Sequence, residues 1–177
     1  MKKIIINVIL ILIAFVIYFL QSNFFNWFNI AGVKPNLFVI YILFIGLFGH
    51  RGMGITYGAV YGIILDFLFK ERIGAYLLGL TIVGVIATIF EKNFSKNSRI
   101  TIIVMVIVST IIFEIIMCIL DYILYSTNIE IVKFVQILII EILYNTVLSI
   151  IIYPAIQKFG YTIENEYKGN RILTKYF

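Results

Sequence analysis

Long apolar runs, separated by short polar breaks, dominate the chain from residue 4 to residue 157. A helix rises about 1.5 Å per residue and a bilayer core is about 30 Å thick, so about 20 apolar residues cross it. The pattern predicts an all-α, polytopic membrane bundle of six transmembrane helices, at residues 4–21, 36–49, 54–69, 75–91, 100–125 and 130–157. We expect a transmembrane domain, 1–158, followed by a short polar tail, 159–177, that is partly disordered.

The second and third predicted helices are short, with about 14 and 16 residues, and they cover only about 21–24 Å. The turn HRGMG, residues 50–54, separates them. Short helices interrupted by glycine are usually shielded by neighbouring helices or line a cavity. We therefore expect residues 35–69 to form a compact helical hairpin inside the bundle.

Three glycines spaced four residues apart lie on one face of the third predicted helix. They are Gly54, Gly58 and Gly62, and Ala59 lies alongside them. Helices in lipid associate through close backbone approach and buried polar contacts, because two apolar faces gain nothing from each other there. This face is therefore either packed by another helix of the same chain or docked by the single helix of a partner. The sequence leaves both interpretations open.

Acidic residues also fall within the apolar runs. Asp66 and Glu91 lie near predicted helix ends, where we interpret them as structural. Asp66 can pair with Lys70, one turn further along the chain.

Glu114 differs because it lies near the middle of the fifth predicted helix, where a charged carboxylate is costly. Cys118 and Asp121 continue its face, and Glu141 and Asn145 on the sixth helix could meet that face. Neither helix carries a lysine or arginine at matching depth. We therefore expect Glu114 to be protonated or hydrogen-bonded to hydroxyl or amide groups such as Asn145. A proton relay is the functional alternative.

The composition places these helices in lipid. Of the 177 residues, 62% are hydrophobic and 13% are charged, and the mean hydropathy is +1.07. Soluble domains contain about 25% charged residues. The net charge of +5 comes from single basic residues between apolar runs, which form no basic face for nucleic acid. The membrane lipid is the partner that they fit better.

The same basic residues predict the orientation. With six spans and a cytoplasmic N-terminus, ten basic residues lie on the cytoplasmic side and four lie outside. This asymmetry follows the positive-inside rule and predicts that both termini are cytoplasmic. The N-terminal apolar run is long for a signal peptide, and QSNFFN after it offers no cleavage site. We therefore interpret it as a retained first helix.

Residues 22–35, SNFFNWFNIAGVKP, combine four aromatic residues with asparagines. This composition is typical of an anchor in the membrane interface. A lid over a cavity is the alternative. Pro35 is expected in the opening turn of the second helix, where its missing N–H costs nothing.

No residues suit catalysis, a metal or a cofactor. His50 is the only histidine and Cys118 is the only cysteine. The sequence contains no HExxH, no GxSxG and no phosphate-binding loop. We interpret His50 as an interfacial residue and Cys118 as a small buried hydrophobe. The chain is therefore expected to be neither an enzyme nor a holder of metals or cofactors.

Residues 34–79, KPNLFVIYILFIGLFGHRGMGITYGAVYGIILDFLFKERIGAYLLG, resemble the MreD family of rod shape-determining proteins. Pro35 and Asn36 match the start of the second helix, and Arg51 and Gly52 match the turn that follows it. The glycine-spaced helix ending in Asp66, and Gly74 at the start of the fourth helix, complete the pattern. The family usually has a proline and a glycine after the aspartate, and here KERIG retains only the glycine.

The resemblance implies a non-enzymatic scaffold of the bacterial cell-elongation machinery in the plasma membrane. Such proteins associate with the single-pass protein MreC. Through MreC they associate with the actin-like MreB filament, an elongation glycosyltransferase and a penicillin-binding transpeptidase. The resemblance also implies a fold similar to the substrate-binding subunits of energy-coupling-factor vitamin transporters.

Such a transporter subunit is the alternative function. It would need polar side chains that converge on an outward-facing cavity, with residues 23–33 as a lid. The first helix, which contains INVILILIAF, lacks the regular small residues with which these subunits dock on their transport partner.

Overall fold

The computed structural model describes residues 2–50, 52–69, 74–93, 98–126 and 130–168. Across these ranges the protein is helical, with six helices of twelve residues or more and no β-strand. The helices are α1 (Lys2–Phe19), α2 (Leu37–Phe48), α3 (Met53–Phe69), α4 (Ala75–Asn93), α5 (Arg99–Tyr125) and α6 (Ile131–Lys168). After α1 the chain continues through a π-helical segment, Leu20–Phe24, and a short helical turn, Phe25–Trp27.

Three stretches of the described chain are long and apolar enough to cross a membrane by themselves. They are Lys3–Trp27, Arg99–Leu124 and Ile131–Tyr167. The apolar helices Leu37–Phe48, Met53–Phe69 and Ala75–Glu91 are shorter. The protein is therefore an all-helical membrane protein, and the six-span topology stays a prediction.

Helix α2 lies at the centre of the bundle. All twelve of its residues are buried, and it contacts each of the five other helices. Asn36 caps its N-terminus by accepting a hydrogen bond from the backbone N–H of Val39, at 3.2 Å. Pro35 therefore precedes the cap and lies outside the helix, which corrects its predicted place in the first turn.

Helix α3 completes the predicted hairpin but is not wholly inside the bundle. One face of it is buried, and the other exposes large apolar side chains such as Ile63 and Phe67. The central position therefore belongs to α2, whereas α3 lies at the edge.

Helix α6 is longer than predicted. We expected it to end at residue 157, but it continues to Lys168 through Pro154. Tertiary contacts explain the extension: Gly160 lies against the ring of Phe48, and Ile163 is buried in the core. At 38 residues the helix is about 57 Å long, which exceeds the thickness of a bilayer.

The aromatic segment after α1 lies beside α6. Phe25 is buried edge-on against Tyr144, with ring centroids 5.9 Å apart. The Tyr144 hydroxyl donates a hydrogen bond to the carbonyl of Phe28 at 2.6 Å. Trp27 is 89% exposed. This arrangement fits an anchor in the membrane interface.

Candidate functional site

The glycines of α3 lie directly against the backbone of α4. A β-carbon at Gly58 would lie 2.4 Å from the carbonyl oxygen of Leu80, and one at Gly62 would lie 2.5 Å from the Cα of Leu77. Real β-carbons essentially never approach other atoms so closely. Only glycine therefore permits this separation of the two helices.

The close packing continues into α2 at the other end of the same face. A β-carbon at Gly54 would lie 2.7 Å from the Cα of Gly46, and one at Gly84 would lie 2.4 Å from the carbonyl oxygen of Gly54. We call Gly46, Gly54, Gly58, Gly62 and Gly84 the glycine seam. Ala59 beside it is half-buried. Helix α4 of the same chain thus occupies the space that a partner helix would need on this face.

Asp66 joins α3 to the start of α4. Its side chain is buried, and its two carboxylate oxygens accept hydrogen bonds from the backbone N–H groups of Tyr76, at 3.0 Å, and Leu77, at 3.1 Å. These amides belong to the first turn of α4, where N–H groups lack helical partners. Asp66 therefore caps a helix other than its own, and Lys70, its predicted partner, lies outside the described residues.

Two glycines of the family pattern occupy turns that need left-handed backbone. Gly52, between α2 and α3, has a φ of 87°, and Gly74, just before α4, has a φ of 88°. Side chains with a β-carbon rarely adopt this conformation. Arg51, the other predicted turn residue, lies outside the described residues.

Asn145 is the centre of a buried polar cluster that ties α2, α5 and α6 together. Its amide oxygen accepts from the backbone N–H of Asn36 at 2.8 Å. Its amide nitrogen donates to the Thr110 hydroxyl at 3.1 Å and to a carboxyl oxygen of Glu141 at 3.4 Å. Because Asn145 is fully buried, these bonds replace the water that its amide would otherwise bind.

Glu114 completes this cluster. Its carboxyl group interacts with that of Glu141, which is buried. The sequence indicated that Glu141 and Asn145 could meet the face of Glu114. In the structure the amide nitrogen of Asn145 bonds Glu141 and Thr110, and Glu141 interacts with Glu114.

Two further members of the cluster were missed. Thr110 lies four residues before Glu114 on α5, and Ser149 lies four residues after Asn145 on α6. The Ser149 hydroxyl donates to the carbonyl of Asn145 at 2.6 Å. The helical spacing of these small polar residues was the signal that could have identified them.

Helix α1 is fixed to the bundle by tyrosine hydroxyls. Those of Tyr41 and Tyr61 donate to the carbonyl of Leu10, at 2.6 and 3.4 Å. The Asn7 side chain accepts from the hydroxyls of Tyr57, at 3.0 Å, and Tyr167. These contacts were not predicted from the sequence, although Asn7 is a single amide in an apolar helix and therefore needs a partner.

An apolar cleft runs beside this attachment. It has a volume of about 360 Å³, and we call it the α1–α6 cleft because these two helices form its walls and α2 forms its floor. Apolar side chains and Tyr41 line it; they include Leu10, Ile13, Ile17, Phe44, Ala155, Ile156 and Phe159. The opposite side of α1 is exposed and almost wholly apolar. This surface can be covered by acyl chains or by another helix.

Within the described ranges, no three His, Cys, Asp or Glu side chains are grouped so that they could hold a metal ion. The polar groups that do converge, around Asn145, form hydrogen bonds with one another.

Comparison with protein families matches the chain to the model described as rod shape-determining protein MreD, over residues 2–162 of the 177. Comparison with curated proteins and with solved structures gives no match. The matched region contains the glycine seam, the Asn145 cluster and the lining of the α1–α6 cleft except Ile163.

Proposed function

We propose that this chain, which belongs to the MreD family of rod shape-determining membrane proteins, is a non-enzymatic scaffold of the cell-elongation machinery. Its role is to hold MreC and to help organise lateral peptidoglycan synthesis. The plasma membrane, the six-span topology with both termini in the cytoplasm, and a bundle similar to energy-coupling-factor subunits are parts of the same proposal.

The internal packing is the observation that carries this proposal. The glycine seam closes α2, α3 and α4 on one another, and the Asn145 cluster bonds to itself. Such an interior fixes the shape of the bundle and offers no set of groups for a reaction. The outer helical surfaces are then what the protein presents to other molecules.

The α1–α6 cleft is the surface that best suits the transmembrane helix of MreC. It is apolar and lies between α1 and α6, two of the helices that can cross a membrane. Few residues of α1, on one side of the cleft, are buried inside the bundle. Helices associate in lipid by packing into such grooves. Through MreC the scaffold would reach the MreB filament, the glycosyltransferase and the penicillin-binding transpeptidase.

Disulfide crosslinking tests this contact. The chain has one cysteine, so a Cys118→Ser background leaves any introduced thiol unique. We expect Ala155→Cys, in the cleft, to crosslink with a cysteine placed along the MreC helix. Val147→Cys, on the same helix and 54% exposed outside the cleft, is the matched control. Equal crosslinking at both positions, or none at Ala155, would contradict the assignment.

Depletion in a rod-shaped host tests the function itself. We expect rounded cells and loss of lateral wall synthesis. Vitamin auxotrophy, or a vitamin that co-purifies tightly with the protein, would instead support the transporter-subunit alternative. That alternative requires polar groups free to bind a ligand, whereas those around Asn145 are bonded to one another.

A further inference from the structure

A second cavity, of about 400 Å³, lies between α5 and α6 at the end of the bundle where α5 begins. Its polar side chains are Arg99 on α5 and Tyr153 and Gln157 on α6. Arg99 and Gln157 retain access to the surroundings, whereas Tyr153 is buried. Among the described residues that line the cavity none is acidic, so the guanidinium gives this part of the lining a net positive charge.

The rest of the lining is apolar and follows the two helices inward. Ile102 and Ile103 contribute from α5, and Ile150 contributes from α6. Arg99 is the first residue of a helix that can cross a membrane, so its guanidinium lies at headgroup depth and the isoleucines lie at acyl-chain depth. The cavity is therefore polar at headgroup depth and apolar at acyl-chain depth, which matches the two parts of a phospholipid.

Pro154 adds a hydrogen-bond acceptor to the wall. Proline has no N–H, so the carbonyl of Ile150 receives no helical bond from the residue four positions later. Both residues line the cavity. Inside a bilayer such a carbonyl needs a donor from another source, because lipid tails offer none.

We propose that this cavity binds the headgroup of an anionic glycerophospholipid. The guanidinium of Arg99 holds the phosphodiester, with the Gln157 amide as a second donor. The acyl chains lie along the isoleucines, and this apolar continuation selects a lipid over free phosphate.

Native mass spectrometry tests the proposal on the full chain, released from nanodiscs of equal parts phosphatidylglycerol and phosphatidylcholine. We expect the wild type to retain phosphatidylglycerol preferentially. Arg99→Gln should retain about fivefold less, the effect of one basic residue at a lipid surface. The control is Lys158→Gln, which removes the same charge from an exposed position next to Gln157 but outside the cavity. An equal loss in both variants, or no loss in Arg99→Gln, would overturn the site.

Ile103→Trp provides a second variant that keeps Arg99 but fills the apolar part. It should also lose phosphatidylglycerol, and retention at the wild-type level would refute the position of the acyl chains. Excess inorganic phosphate added before release should leave the bound lipid in place. Displacement by phosphate would identify a free-phosphate site and overturn the lipid proposal.

Discussion

At Gly58 the carbonyl oxygen of Leu80 occupies the space that a side chain would need. The obstacle is backbone, which cannot rotate away as a side chain can. At Gly79 the obstacle is instead a side chain, the ring of Phe113, which is itself buried.

Gly58→Ala should destabilise the bundle by about 1–3 kcal/mol, because the added methyl group forces α3 and α4 apart. Thermal unfolding in detergent, followed by size-exclusion chromatography, measures the change. Val60→Ala, at a position 49% exposed on the same helix, is the control and should have little effect. Equal stability of Gly58→Ala and wild type would show that the glycine seam can accommodate a methyl group.

Asn145→Leu should cost about 1–3 kcal/mol for each partner that it leaves unbonded, including the backbone N–H of Asn36. The same unfolding assay applies. Ser149→Ala loses only a bond to a carbonyl of its own helix and should cost less. The reverse order would indicate that Asn145 does not connect α2 to α6.

Glu114→Gln should preserve both abundance and cell shape, since a glutamine amide can donate a hydrogen bond to the neighbouring carboxyl group of Glu141. Complementation of a depleted rod-shaped strain measures shape, and immunoblotting measures abundance. Loss of rod shape at normal abundance would favour the proton-relay alternative over a structural role.

At the scale of the elements, α4 begins where a carboxylate from α3 meets it. The first N–H groups of a helix lack helical partners and carry partial positive charge. A buried carboxylate accepts hydrogen bonds from them and interacts favourably with the positive end of the helix dipole. Asp66 thereby fixes the register between α3 and α4 at the end of the seam opposite Gly54. This explains why a carboxylate follows three glycines on one helix.

Asp66→Ala should destabilise the protein by about 1 kcal/mol or more, the usual cost of a lost N-cap. Asp66→Asn keeps one acceptor oxygen and should fall between alanine and the wild type. Thermal unfolding of the three proteins in one detergent gives the order. If Asn is no better than Ala, both carboxylate oxygens are needed.

In the whole molecule, the helices differ in how strongly they are held. Helix α2 is enclosed by all the others. Helix α1 lies at the edge, between the α1–α6 cleft and another apolar cleft, of about 240 Å³, that it forms with α2 and α3. The tyrosine hydroxyls on Leu10 and Asn7 hold α1 in place. The last turns of α6 join this attachment through Tyr167.

Reporter fusions test the predicted orientation of the whole molecule. A fluorescent protein fused after Lys168 should fluoresce, because this position is predicted to be cytoplasmic. Alkaline phosphatase fused after Ser126 should be active, because the end of α5 is predicted to lie outside. The opposite pattern would invert the topology. Phosphatase activity at both points would place them on the same side of the membrane and show that α6 does not cross it.

The sequence by itself determined where the helices lie. The length of an apolar run, and the polar residues that end it, decide whether that segment partitions into lipid. The sequence also indicated that Glu141 and Asn145 could meet the face of Glu114, since isolated polar groups in lipid need partners. Asp66 and the glycine face were identified as special, but their partners were not.

The tertiary structure decided which surfaces face inward. Helices α1 and α2 are both almost wholly apolar, yet α2 is entirely buried and α1 is mostly exposed. In water, hydrophobicity would distinguish a buried helix from an exposed one. Lipid and the protein interior are equally apolar, so in a membrane hydrophobicity does not make this distinction. Shape decides instead: only the folded bundle shows that α4 fills the glycine face, that Asp66 bonds the α4 amides, and that Phe48 holds α6 helical past residue 157.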